Sequence, residues 1–461
     1  MGARSPIIRE LDVPAAVLRH LAAARPDRYP VLLDSAAAGP LGRFSVLHAQ
    51  PRAALWVDGA GRPGMQGVSL PHGDFLSMLE HWWRAERETE PQAAVPFTGG
   101  WAIFLGYELA EEIEPRLRLP PSSLPWRALA LRTPCALVHD RSSDLVFAVG
   151  ESGAGAELDQ VCADALKAAD AAPPEESSFE GVIEEEAPDA FLWRVRRAKE
   201  YIRAGDIYQA NLSRPWRMRL AGAPDIGQLY RRLCAANPAP FAALAQWNGV
   251  AILSSSPERL VQVTGDDVQT RPIAGTRPRS RSPEDDARLM AELVAHPKER
   301  AEHIMLIDLE RNDLGRICEA GTVRVDELMC IESYAHVHHI VSNVRGRLRA
   351  DVTPLGAVRA VFPGGTITGC PKFRCMQIIA ELEGEGRGAY TGSLGYLTRG
   401  GSLDLNILIR TMTVMEQRLE LRAGAGIVAD SIPERELEET RAKARGLLAS
   451  LEPVSRAATA V

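Results

Sequence analysis

The chain has 461 residues, with 53 Lys and Arg against 60 Asp and Glu, a formal net charge of −7, and 46% hydrophobic and 25% charged residues. That is the mix of a soluble globular protein, about three domain-sized units or one composite body at roughly 150 residues per domain. The acidic balance speaks against a nucleic-acid binder, and no run of about 18 apolar residues is present to span a membrane.

The opening MGARSPIIRELDV lacks the apolar core of a secretory signal. Seven cysteines, an odd number without a CxxC pair, argue against a disulfide framework or zinc site and fit a reducing, cytoplasmic setting. VLLDSA (31–36) and RFSVLHA (43–49) read as strands. DFLSMLEHWWRAERE (74–88) carries Phe75, Met78, Leu79 and Trp82 at helical spacing. FTGGWAIFLGYEL (97–109) reads as a strand and tight turn deep in a core. Residues 171–189, rich in Pro, Glu and Ser, form a linker or a surface excursion.

Asp189 is placed to cap a helix with Phe191, Val195, Ala198 and Ile202 on one face, ending near Gly205. Ser282-Pro283 and His296-Pro297 each open a helix. LDLNILIRTMTV (403–414) alternates Leu405, Ile407 and Ile409 against Asp404, Asn406 and Arg410, as one strand does. Ser431-Ile-Pro-Glu434 reads as a capping box before a last long helix.

Four groups of residues suit chemistry. Glu299 and Glu302 share a helix face, and Glu436, Glu439 and Lys443 share another. Two such faces offer carboxylates to a hard cation, or form solvated, salt-bridged surfaces. The glycine turns FPGGTITGCPK (362–372) and RAGAGIVADS (422–431) suit close approach of an anion, or are simply tight turns. In HVHHIVS, His336 and His338 point opposite to His339, which weakens a metal reading and leaves a single general acid or a core histidine. Arg410, near the glycine turns, suits a carboxylate ligand or a buried ion pair.

The ordered segments GDIYQANLSRPW, SSSPERL, TRPIAGTRPR, KERAEHIMLIDLERNDLGR, HVHHIVS, FPGGTITGCPKFRCMQII, GAYTGSLGY, LNILIRT and AGAGIVADS…ELEETRAK resemble the chorismate-utilising enzymes. These include anthranilate, aminodeoxychorismate, isochorismate and salicylate synthases. The resemblance covers residues 190–451 as a chorismate-binding catalytic region. LLDSA and FTGGWAIFLGYEL extend it to an amino-terminal region, 1–170, of the anthranilate synthase component I type.

The resemblance implies an α+β fold, an interwoven two-sheet antiparallel β-sandwich with outer helices. It implies that Glu302 and Glu439 hold Mg2+ against the ring carboxylate of chorismate, with Glu299 and Glu436 as their companions. His339 matches the histidine beside the leaving C4 hydroxyl, a general acid. Tyr390, Arg410, Gly424, Gly426 and Lys443 match residues around the substrate carboxylates. Thr276 and Thr366, the latter beside Gly365, match active-site threonines. Leu33, Asp34 and Ser35, with Asn237, Pro238 and Phe241, match a tryptophan pocket, whose occupancy is an open question.

Isochorismate and salicylate synthases activate water with a lysine where this chain has Gln209, so ammonia is the expected nucleophile. YQANLS, HVHHIVS and FPGGTITGCPK resemble the aminodeoxychorismate branch, which serves 4-aminobenzoate and folate synthesis. Ala274, in PIAGT (272–276), instead matches the anthranilate branch, because well-known aminodeoxychorismate synthases carry a nucleophilic lysine there. The expected activity is Mg-dependent formation of aminodeoxychorismate. Anthranilate synthesis is the alternative, and an inactive binding or regulatory subunit the minor one. With no amidotransferase segment recognisable, the resemblance implies a separate glutaminase subunit supplying ammonia.

Overall fold

The computed structural model describes residues 5–37, 41–89, 93–171, 179–280, 282–334 and 337–452, apart from the side chains of Thr276, Pro278 and Lys298. His336 and the side chain of Thr276, both singled out above, lie outside the described residues.

Period-two patterning builds layers. In the strand Val31–Asp34, Val31 and Leu33 face a cluster holding Phe104, Leu129, Ala243 and Ile252. Leu32 faces the opposite way, into a cluster with Leu18 and Leu21 of the helix Ala16–Ala24 and Leu229 and Leu233 of the helix Ile226–Ala236. The first cluster draws residues from two sheets and is the layer between them; the second lies between a sheet and its outer helices.

Among the described residues the sheets have 12 and 11 strands. The first runs, in spatial order, Ile7–Leu11, Leu145–Gly150, Cys135–Asp140, Phe44–Ala49, Val31–Asp34, Phe241–Trp247, Val250–Ser256, Thr411–Met415, Arg418–Ile427, Gln209–Arg219 and Ile183–Glu185, with Gly369–Cys370 also paired to Gln209–Arg219. The second runs Ile273–Pro278, Val337–Arg347, Asp267–Thr270, Arg259–Thr264, Leu403–Asn406, Ser393–Thr398, Gly100–Leu105, Trp126–Thr133, Ala53–Asp58 and Pro63–Gln66, with Arg324–Ser333 paired to Val337–Arg347. The pairings are antiparallel. Both sheets interleave early and late strands: Phe241–Trp247 lies beside Val31–Asp34, and Ser393–Thr398 beside Gly100–Leu105. This is the expected α+β, interwoven sandwich.

Four local expectations change. The stretch 403–414 is two strands, Leu403–Asn406 and Thr411–Met415, in different sheets. The chain crosses between sheets at Ile407–Arg410, where Arg410 has φ 51°. Leu405, Ile407 and Ile409 all pack against one cluster, so the alternation runs on past the first strand, whereas Met412 and Val414 enter the cluster beyond the other sheet. The helix Pro188–Arg203 starts at Ala187 rather than Asp189, since Pro188 takes the first turn. The Ser431 hydroxyl does not cap the last helix, Pro433–Ala449; it accepts the Val428 N–H at 3.1 Å and closes the preceding turn. Within 171–189, Ile183–Glu185 forms an edge strand, and Glu185 pairs with the buried Arg214 at 2.7 Å.

Candidate active site

The helix Pro297–Gly315 carries Glu299, Glu302 and Glu310, and its first turn is fixed by Pro297 and by His296 Nδ1, which accepts the Glu299 N–H at 3.4 Å. Facing it is the end of the strand Arg418–Ile427, paired with Gln209–Arg219 so that Gly426 lies opposite Asn211 and Gly424 opposite Ser213.

The two glycines explain what gathers there. A Cβ at Gly426 would lie 2.4 Å from Gln209 Nε2 and 3.3 Å from Glu302 Oε1. One at Gly424 would lie 2.7 Å from the Tyr390 hydroxyl. Only bare backbone lets these side chains settle on the strand. Gln209 Nε2 donates to Glu302 Oε1 at 3.0 Å; Gln209 is 3% exposed and its Oε1 is buried without a partner. Lys443, from the helix Pro433–Ala449, donates to the Gly424 carbonyl at 3.1 Å and pairs with Glu439 at 2.7 Å. Burial opposes the Lys443 charge, but Glu439 outweighs it and holds the ammonium above its ordinary range.

His339 lies in the strand Val337–Arg347, opposite Thr276, and its ring donates to the Gly275 carbonyl. Burial, helped by the charges of Arg410 and Lys443, pushes His339 down to about 4, so its imidazole is neutral at physiological pH. His338 points away and is a satisfied core residue, bonded to Asp286 at 2.9 Å and Ser333 at 2.7 Å. Arg410 sits near Tyr390 and Glu439, and burial lowers its pKa below the usual guanidinium value.

Glu302, Glu439, Lys443, Tyr390, Gly424 and Gly426 thus converge on one strand end, with His339 and Arg410 close by. Glu299 is placed differently. It pairs with Arg277 at 3.0 Å and abuts Gly275, where a Cβ would come 2.6 Å from its Oε2. Glu436 is buried on the last helix. Ala274 is buried opposite Ile340 and presents a methyl group where a nucleophile is expected.

Among the described residues no three His, Cys, Asp or Glu side chains form a cation cage. Mg2+ does not require one, because it takes one or two carboxylates, waters and an anionic substrate group. Glu302 lies against Gly426, and Glu439 reaches Gly424 through Lys443, so two helices each bring a hard oxygen donor to the bare glycine strand, and this donor set fits Mg2+.

The expected tryptophan pocket is split between two faces. Leu33 faces the layer between the sheets. The Asp34 carboxylate turns outward and is engaged by Arg19 at 2.7 Å, Ser45 at 2.9 Å and Tyr230 at 3.4 Å. Ser35 donates to the Phe44 carbonyl at 2.7 Å, and Asn237 to the Ser255 carbonyl at 3.3 Å. Phe241 opens the strand that pairs with Val31–Asp34, and Pro238 precedes it.

Two acids escape a reading by periodicity. Glu258 is 5% exposed and accepts the Thr366 hydroxyl at 2.7 Å; burial raises it to about 7. Glu310 is 6% exposed behind Gly365, and burial followed by the Asp313 charge raises it to about 7. Both lie inside quoted motifs, SSSPERL and LIDLERND. A lone Glu after Ser-Pro or within a charged helix reads as surface, so only the packing reveals them.

Residues 14–449 match the family described as chorismate binding enzyme, and the chain belongs to that family. It is 43% identical over 420 residues to an anthranilate synthase component I-like protein of Synechocystis sp., covering 89% of this chain and 83% of the relative. It is 38% identical over 450 residues to aminodeoxychorismate synthase component 1 of Bacillus subtilis, covering 93% of each. A crystal structure of anthranilate synthase component I from Streptococcus pneumoniae superposes with a TM-score of 0.78 at 32% identity, covering 89% of this chain and 93% of that one. The protein is therefore a chorismate-utilising enzyme of the anthranilate or aminodeoxychorismate synthase component I type.

Proposed function

We propose that this enzyme aminates chorismate at C4 to give aminodeoxychorismate, using ammonia delivered by a separate glutaminase subunit. The observation that carries amination is Gln209. Its Nε2 is committed to Glu302, and an amide cannot deprotonate water. Its free, buried Oε1 is an acceptor suited to an N–H of ammonia. The C4 choice is supported by YQANLS, HVHHIVS and FPGGTITGCPK and by the Bacillus subtilis relative.

Overall, a C4–N bond forms and the C4–O bond breaks; the hydroxyl leaves as water with a donated proton, and the new ammonium gives up one proton in return, so chorismate and ammonia become aminodeoxychorismate and water. Glu258, still half protonated near pH 7, is a better donor than the neutral His339. Arg410, Lys443, Tyr390 and the bare backbone at Gly424 and Gly426 receive the substrate carboxylates. Bound at Glu302 and Glu439, Mg2+ would supply charge stabilisation at the ring carboxylate, with Glu436 one turn before Glu439 and Glu299 held aside by Arg277. In this reading 190–451 carries the chemistry and 1–170 supports it, and a tryptophan bound near Leu33 and Phe241 would be a structural or regulatory addition. The seven free cysteines support a reducing compartment, and no described helix is long and apolar enough to cross a membrane.

Anthranilate formation is the second reading, favoured by Ala274 and by relatives such as anthranilate synthase component 1 of Thermus thermophilus, 39% identical over 458 residues. Incubation with chorismate, Mg2+ and an ammonium salt, with and without aminodeoxychorismate lyase, separates the two. Lyase-dependent 4-aminobenzoate is the expected product. Anthranilate formed without lyase would replace the first reading with the second.

A further inference from the structure

The buried carboxyls Glu258 and Glu310 come from distant parts of the chain, yet they hang on consecutive residues of one turn. Glu258 follows the strand Val250–Ser256 and accepts the Thr366 hydroxyl at 2.7 Å. Glu310 projects from the helix Pro297–Gly315 and accepts the Gly365 N–H; a Cβ at Gly365 would lie only 3.1 Å from its Oε1. Gly365 and Thr366 therefore bridge the two groups, and the charge of Glu310 bears directly on Glu258.

We propose that Glu310 is a positioning residue for proton transfer: with Glu258 it forms a carboxyl pair that holds one proton across the Gly365-Thr366 turn, keeping Glu258 ready to donate. The role given to Glu258 rests on the functional reading above; the pair itself does not.

The surrounding charges leave the pair poorly compensated. Around Glu258 are Glu310, the Thr366 hydroxyl, the Ile273 N–H and Lys443. Lys443 is committed to Glu439 and to the Gly424 carbonyl. Around Glu310 are Asp313, Lys372, the Thr270 hydroxyl and the Gly365 N–H. Lys372 is bound to Asp313 at 2.5 Å and to the Val361 carbonyl at 2.9 Å, so its charge first answers Asp313. Two buried carboxyls near one another and short of cations do not both ionise at neutral pH. Burial, the largest cause for each, raises both groups to about 7, the direction such a pair requires.

Glu310→Gln keeps the shape and an acceptor for Gly365 while removing the charge. Glu258 should then lose its proton about one unit lower, and the alkaline limb of kcat/KM for chorismate, taken at constant free ammonia, should move down with it. That is about a tenfold loss relative to native protein above the limb. The direct readout is the protonated-carboxyl infrared band of 13C-glutamate-labelled resting protein against pH. Native protein should release a carboxyl proton near pH 7, and Glu258→Gln and Glu310→Gln should each leave one group titrating about one unit lower.

Because coupling is reciprocal, Glu258→Gln alone is sufficient if Glu310→Gln does not fold. The proposal is overturned if native protein has no carboxyl proton above pH 6, or if neither variant moves the remaining group. The infrared titration uses neither chorismate nor ammonia. An enzyme that makes no amination product yet shows the coupled titration refutes the functional reading and leaves the pair standing.

Discussion

At the residue scale, the raised carboxyl of Glu258 links activity and stability with a definite sign. Unfolded, a glutamate ionises near 4.5, and burial raises folded Glu258 to about 7. The folded state therefore binds the proton more tightly, and this contribution is fully present below the unfolded value and lost as pH rises through about 7. Denaturant unfolding should show native protein losing stability between pH 5 and 8 relative to Glu258→Gln, by about 3 kcal/mol at most for one such group. A pH-independent difference between the two would place Glu258 in water. The sequence made Glu302, Glu439, His339 and Arg410 legible, because family motifs mark them. It also identified Gln209, but not the orphaned carbonyl that gives that amide its meaning. The split of Glu299 from Glu302 was not legible either: three residues apart on a helix puts them on one face, but Arg277 at 3.0 Å draws Glu299 toward Gly275.

At the element scale, the helix Lys372–Glu383 ends in the charged support beneath Tyr390. Glu383 is buried and bonded by Arg387 at 2.6 Å, by Arg422 at 3.4 Å and by the Ser213 N–H at 2.7 Å. Arg387 also reaches the Asn211 carbonyl at 2.6 Å and stacks on Tyr107 and Tyr390, 4.9 and 5.6 Å from the ring centres. Removing one partner leaves a buried charge uncompensated. Arg387→Leu should destabilise the protein by about 3–5 kcal/mol in a urea melt and should raise the KM for chorismate through a displaced Tyr390. A loss under 1 kcal/mol would mean Arg422 compensates Glu383 alone.

The helix Phe75–Glu86, capped by Asp74, falls within two residues of its expected stretch at each end. The failures share one cause. Local pattern fixes whether a residue is buried but not which partner covers it, so 403–414 read as one strand although it joins two sheets.

At the scale of the whole molecule, interleaving makes the amino-terminal and carboxy-terminal portions depend on each other. The strand Val31–Asp34 pairs with Phe44–Ala49 on one edge and Phe241–Trp247 on the other, and Gly100–Leu105 pairs with Trp126–Thr133 on one edge and Ser393–Thr398 on the other. Intact protein should melt in a single cooperative transition, and residues 1–170 expressed alone should aggregate through those unpaired edges. A soluble, cooperatively folding 1–170 fragment would show that its edges are closed by other means.

The same pairing has a consequence on the ribosome. The first strands can assemble early, but the Gly100–Leu105 edge waits until Ser393 has left the exit tunnel. At about 5–20 residues per second that delay is roughly 15–60 s. Throughout it the nascent chain carries an open, wholly apolar strand. Slowing translation should therefore lower soluble yield, and a holding chaperone supplied during synthesis, rather than afterwards, should restore it.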